Sequence, residues 1–204
     1  MKQNGLRFGA LGAETAHLCI DMQNLVLRRE SPWRAEWAER VLPAVQHIAG
    51  HVPGRTIFTR FMPPTSAADM PGAWQRYYQH WENLTRAQVN PDLLELVPPL
   101  QAFVPPAIVL DKPVYSPFSG HRLREFLTAR KVTTLVISGA ETDVCVLATA
   151  LGAVDLGFRV ILAIDAICSS SDQTHDALVQ FYRARLSIQV ELASAEEIID
   201  SWRC

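Results

Sequence analysis

At 204 residues, 49% apolar and 20% charged, the chain has the size and composition of one soluble globular domain with a well-buried core. A net charge of −2, with acids and bases interspersed, provides no basic field to collect nucleic acid or an anionic membrane surface, so small molecules are the expected partners. No apolar run approaches the roughly 20 residues of a membrane-spanning helix. Residues 1–15 lack the apolar core of a signal peptide, and the four widely spaced cysteines suggest reduced thiols rather than disulfides or a zinc site. A cytoplasmic location is expected.

Residues 1–14 carry three glycines and little periodicity, and read as an arm lying on the surface or on a neighbouring subunit. The apolar run His17-Leu18-Cys19-Ile20 then reads as a first strand that delivers Asp21 to its carboxyl end. Trp37, Val41, Val45 and Ile48 recur at helical spacing within 34–49, and a glycine at position 50 breaks the pattern. Residues 55–59 form the second expected strand. The long stretch 60–104 is rich in proline and aromatics, with a helix expected over 72–81, and long excursions of this kind often wall a pocket.

Ala107-Ile108-Val109-Leu110 reads as the third strand, leading into Asp111, Lys112 and a proline-stiffened loop through Tyr115 and Phe118. A helix is expected over 121–130, a fourth strand over 133–138, a helix over 143–156, and a fifth strand over 159–164. Serines at 169–171 offer caps for a helix over 173–185. A sixth strand over 187–192 and a last helix capped by Ser194 complete the chain. Strict alternation of strand and helix implies a three-layer α/β/α domain spanning 1–204, with a central, mostly parallel six-stranded sheet.

The fourth strand passes through Ser138-Gly139-Ala140-Glu141-Thr142-Asp143-Val144-Cys145 into a helix. Such an elbow sets a side chain at the carboxyl edge of the sheet and aims the first N–H groups of the helix at the same spot. A cysteine there has two readings: a nucleophile whose thiol pKa the helix N-terminus lowers, or a small buried hydrophobe. Asp21 alone reads equally as a turn former and Lys112 as a solvated charge. In a parallel sheet, however, Asp21, Lys112 and Cys145 all leave strands at one edge, and together they supply a thiol, a proton acceptor and a cation.

These residues resemble the isochorismatase-like cysteine hydrolases, a family that includes nicotinamidases, N-carbamoylsarcosine amidases and ureidoacrylate amidohydrolases. The resemblance rests on Ile-Asp-Met-Gln-Asn at 20–24, the lysine followed by Tyr-Ser-Pro-Phe within 112–118, Ser-Gly-Ala-Glu-Thr-Asp-Val-Cys-Val at 138–146, and Ala-Leu-Gly-Ala-Val-Asp-Leu-Gly-Phe at 150–158. It implies a catalytic triad of Cys145, Asp21 and Lys112, an oxyanion hole from the backbone N–H groups of Glu141 and Cys145, and a cis bond between Ala140 and Glu141. It also implies a homodimer or homotetramer. Nicotinamidases hold a metal through an Asp-x-His motif after the second strand; the matching positions here read Phe61-Met62-Pro63, which implies a metal-free member without a cofactor. Gln23, Arg60, Trp74, Tyr115 and Phe118 are candidates to line the pocket, with Arg60 either pairing with a substrate carboxylate or bridging to Asp69 or Glu82. The expected activity is hydrolysis of a small amide, carbamoyl or ureido compound. The alternatives are an isochorismatase-type vinyl-ether hydrolase and a binding module without chemistry.

Overall fold

The computed structural model describes residues 5–203. Strands and helices alternate in chain order: β1 (Thr15–Ile20), α1 (Asn24–Leu27), α2 (Ala38–His51), β2 (Thr56–Phe61), α3 (Gly72–His80), α4 (Pro98–Gln101), β3 (Ile108–Lys112) and α5 (Arg122–Ala129). The second half adds β4 (Thr134–Ala140), α6 (Cys145–Asp155), β5 (Arg159–Cys168), α7 (Asp172–Arg185), β6 (Val190–Ala193) and α8 (Ala195–Ser201). The six strands form one sheet in the order β3-β2-β1-β4-β5-β6, and every pairing is parallel.

β1, β2, β4, β6 and most of β5 bury both faces, which is why they read as nearly continuous apolar runs, whereas the edge strand β3 is only partly covered and leaves Asp111 exposed. In β1, Cys19 joins the core layer that contains Val45, Ile48 and Ile198, while Leu18 and Ile20 join the opposite layer with Leu127, Val146 and Tyr182. Helices therefore cover both sides, and the sheet is doubly wound. Its order reverses between β1 and β4, and in such sheets ligands bind where the order reverses, beyond the carboxyl ends of the strands. A third, smaller cluster of Leu25, Leu84, Val89, Leu93 and Leu94 consolidates the long excursion between β2 and β3.

Several strands run further than their apolar patterns suggest. β2 reaches Phe61, β3 includes Lys112 as its last residue, and β5 continues past Asp165 to Cys168, with a register irregularity opposite Ile137 and Gly139. Pairing to an ordered neighbour carries these polar positions along: Arg60 and Phe61 lie opposite Asp111 and Lys112. Part of the expected arm, residues 1–4, falls outside the described residues. The remainder packs on the chain's own body, with Gly5 N–H bonded to Leu192 C=O at 2.6 Å and Leu11 N–H to Ser201 C=O at 2.9 Å. Among the described residues, no helix is long and apolar enough to cross a membrane.

His17 illustrates how the sheet interior constrains a titrating group. It is fully buried in β1, with Nδ1 3.2 Å from Thr56 Oγ1 and Nε2 2.8 Å from Ser138 Oγ. Burial pushes its pKa down to about 3. The native state thus keeps the ring neutral, whereas the unfolded chain protonates it below about pH 6.5. The resulting stability is present above pH 6.5 and is lost as pH falls towards the folded value, at about 1.4 kcal/mol per pH unit. Urea unfolding at pH 7 and pH 5 is expected to show about 2 kcal/mol less acid destabilisation in His17→Gln than in wild type. An unchanged difference would contradict this account.

Candidate active site

Asp21 follows β1 directly, Lys112 ends β3, and Cys145 opens α6 just beyond β4. Although β3 is two strands away from β1, the lysine stem spans the gap along the sheet edge. Lys112 Nζ lies 2.6 Å from Asp21 Oδ2 and 3.4 Å from Cys145 Sγ, and it donates to Val114 C=O at 3.2 Å. The structure therefore gathers these three side chains at one point. All three are buried, with Lys112 and Asp21 only 2% and 5% exposed. A charge so placed must be paired.

Thr59, at the matching edge of β2, fixes the acid. Its hydroxyl donates to Asp21 Oδ1 at 2.6 Å and accepts from Asp21 N–H at 3.1 Å. Asp21 itself sits at φ 50°, a left-handed conformation that is uncommon outside glycine and is held here from both sides. On the other flank, Gly139 adopts φ 108° where β4 presses against β1; a Cβ there would lie 2.1 Å from Ile20 C=O. Sequence reasoning named neither Thr59 nor Gly139 as a site residue. A glycine inside an apolar strand is a signal of close backbone approach, but the threonine gives no local sign.

The polar turn before Cys145 is anchored to the segment preceding α7 and to the first turn of α7 itself. Glu141 Oε1 accepts from Ser170 N–H at 3.0 Å, Asp143 Oδ1 accepts from Ser169 Oγ at 2.5 Å, and Thr142 Oγ1 lies 2.8 Å from His175 Nδ1. The Ala140–Glu141 peptide is cis. Among the described residues, no hydrogen bond uses the backbone N–H of Glu141 or of Cys145, and both residues border the same cavity. Such a pair of free donors can receive an oxygen on which negative charge develops.

The thiol differs from the expectation of a lowered pKa. Burial, followed by the neighbouring Asp21 carboxylate, raises the Cys145 pKa, and Lys112 opposes this only in part. The helix N-terminus does not outweigh desolvation at a position 8% exposed. Lys112 experiences the converse: burial lowers its pKa, but the Asp21 carboxylate and then Cys145 raise it to a net value above the ordinary one. The resting combination is a neutral thiol beside an ammonium–carboxylate pair.

A cavity of about 220 Å³ opens onto Cys145. Its walls are Leu25, Val26, Trp33, Phe61, Tyr77 and Tyr115. Trp33 packs on Phe61 and Tyr77 at ring distances of 5.8 and 6.0 Å; it lies in a loop without periodicity, and no local pattern singles it out.

Of the pocket candidates, Tyr115 and Gln23 border the cavity. The Gln23 amide is occupied, donating to Phe61 C=O and Leu94 C=O at 3.2 and 2.7 Å and accepting from Phe61 N–H at 2.7 Å. Trp74 stands behind the wall, 4.6 Å from the Tyr115 ring and 6.3 Å from the Phe61 ring. Phe118 stacks on Phe158 at 6.0 Å, away from the cavity lining.

Arg60 overturns the expectation placed on it. Its guanidinium faces Asp111 at 2.8 and 3.0 Å and Glu95 at 2.6 Å, outside the cavity. Parallel register sets Asp111 directly opposite it, so its partners are Asp111 and Glu95 rather than Asp69 or Glu82.

A metal does not fit these residues. The Phe61 side chain walls the cavity, with its ring 5.0 Å from Lys112 Nζ, and the side chains of Phe61 and Pro63 have no donor atom for a cation. Among the described residues, no group of three His, Cys, Asp or Glu side chains is gathered to hold one. His80 is exposed and packs edge-on against Trp81.

A doubly wound parallel sheet carrying an acid, a lysine and an elbow cysteine at its carboxyl edge defines an α/β protein of the isochorismatase type. The Isochorismatase domain profile matches residues 15–194, and the chain belongs to that family. Maleamate amidohydrolase of Pseudomonas putida is 30% identical over 187 residues, covering 85% of this chain and 80% of its own. The isochorismatase family protein PncA of Bacillus subtilis is 31% identical over 86 residues, and the match spans 42% of this chain and about half of that relative, 47%. A cysteine hydrolase from Pseudomonas syringae superposes with a TM-score of 0.81 at 19% identity, over 98% of both chains, which shows a shared fold.

Proposed function

We propose that this chain is a cysteine-dependent amidohydrolase that cleaves a carbon–nitrogen bond of a small amide, carbamoyl or ureido compound through a thioester. The observation that carries this reading is the single contact point of Lys112 with Asp21 and Cys145, at 2.6 and 3.4 Å. As Sγ attacks the carbonyl carbon, its proton passes to the Asp21 carboxylate and the carbonyl electrons move to oxygen, which takes the N–H groups of Glu141 and Cys145. Lys112 balances the charge that moves between Asp21 and sulfur. Collapse breaks the C–N bond, and Asp21 protonates the departing nitrogen. Water then gives a proton to Asp21 and attacks the thioester; the C–S bond breaks and the proton returns to Sγ.

The name of the P. putida relative, an amidohydrolase, supports carbon–nitrogen chemistry for this chain. No step requires a metal. Ammonia release from a panel of primary amides and ureido compounds is therefore expected to survive dialysis against EDTA. Loss of activity on dialysis, with recovery on adding zinc or manganese, would contradict the proposal.

A further inference from the structure

The cavity's acid and amide side chains are already committed. Asp21 is paired to Lys112 and bonded to Thr59, Gln23 serves the backbone, and Glu141 accepts from Ser170. Among the described residues, no lysine, arginine or histidine borders the cavity, whereas two carboxylates do, Asp21 and Glu141. Lys112 lies behind this lining and balances only one of them. Three arginines adjoin cavity-wall residues in sequence, Arg34 beside Trp33, Arg60 beside Phe61 and Arg76 beside Tyr77, but none of them borders the cavity, and Arg60 is held outside by Asp111 and Glu95. Apart from the N–H groups of Glu141 and Cys145, which take the reacting carbonyl oxygen, what remains to meet a ligand is hydrocarbon and ring: Leu25, Val26, Trp33, Phe61 and Val144, with the hydroxyls of Tyr77 and Tyr115. A substrate carboxylate would be desolvated here with no cationic partner and beside the Glu141 carboxylate, which no cation balances; that is costly. At about 220 Å³, the space falls below the ~300–1,000 Å³ typical of drug-sized sites and suits an acyl group of one ring or a branched chain.

We propose that this site takes amides whose acyl group is an uncharged hydrocarbon and excludes those that carry a carboxylate. The inference rests on the amidohydrolase reading and adds the substrate class. It separates this chain from maleamate chemistry, since maleamate carries a carboxylate and, among the described residues, no cation borders this cavity to pair it.

The test compares benzamide with its 4-carboxylate, 4-carbamoylbenzoate, and with maleamate, by kcat/KM in the wild-type protein and by calorimetric binding to Cys145→Ala. The expected kcat/KM for benzamide exceeds both anions by about 100-fold or more, and Cys145→Ala binds benzamide but neither anion. Benzamide binding without turnover by wild type would leave the substrate class standing and sink the amidohydrolase reading. A preference below tenfold, anions that bind as well as benzamide, or no binding of benzamide at 10 mM ligand (a concentration about tenfold above a millimolar Kd) would overturn the inference.

Discussion

Asp21→Asn is expected to lose amide hydrolysis by roughly 10⁴-fold or more, and also to lose stability. General acid–base transfer alone contributes about 10²–10⁴, and groups that act as one unit fail together rather than additively. The stability loss has a separate cause. Lys112 is 2% exposed, and among the described residues its ammonium has Asp21 as its only salt-bridged carboxylate. Removing that charge leaves a buried cation uncompensated, at a cost of about 3–5 kcal/mol. The double variant Asp21→Asn/Lys112→Met, which removes both charges, is expected to recover most of that stability and none of the activity. Urea unfolding together with ammonia release separates the two effects. A single variant as stable as wild type, or a double variant that regains turnover, would show that the pair does not act as described.

Gly139→Ala is expected to damage fold and site together. The added Cβ would lie 2.1 Å from Ile20 C=O and 2.6 Å from Ile20 N, backbone atoms of β1 that cannot swing aside, and φ 108° is hostile to any L side chain. Overpacking and backbone strain together cost about 3–5 kcal/mol, or a fall in Tm of about 10 °C for a chain of this size. Because β1 must retreat from β4, Asp21 shifts relative to Cys145, and a displacement near 1 Å costs on the order of 10² in rate. Gly120→Ala is the control, since an added Cβ there would meet no heavy atom within 4 Å and the glycine has no left-handed φ. Its unfolding midpoint should match wild type. Equal midpoints for both variants would refute the close approach of β1 and β4.

The layered α/β architecture was legible because most strands are apolar runs buried on both faces, and helices such as α2 repeat their apolar residues at helical spacing. Asp21, Lys112 and Cys145 could be brought together on paper because parallel strands share one carboxyl edge. What the chain did not reveal depends on register. Arg60 looked available until β2 and β3 paired and set Asp111 opposite it. Thr59 looked like an ordinary strand residue until the same sheet placed its hydroxyl 2.6 Å from Asp21. Trp33 reaches the cavity from a loop whose path no periodicity encodes. The thiol's raised pKa reflects a balance between burial and two charges, and such a balance depends on distances, which spacing along the chain does not give.

The central claim is that sulfur of Cys145 carries the acyl group between the two halves of the reaction. Rapid acid quench of the protein during turnover of a hydrolysed amide, followed by intact-mass and peptide analysis, measures this directly. The expected result is a protein heavier by the acyl group alone, located on the peptide containing Cys145, labile to hydroxylamine and absent from Cys145→Ala. Steady turnover by Cys145→Ala, or an acyl adduct on any other residue, would contradict it.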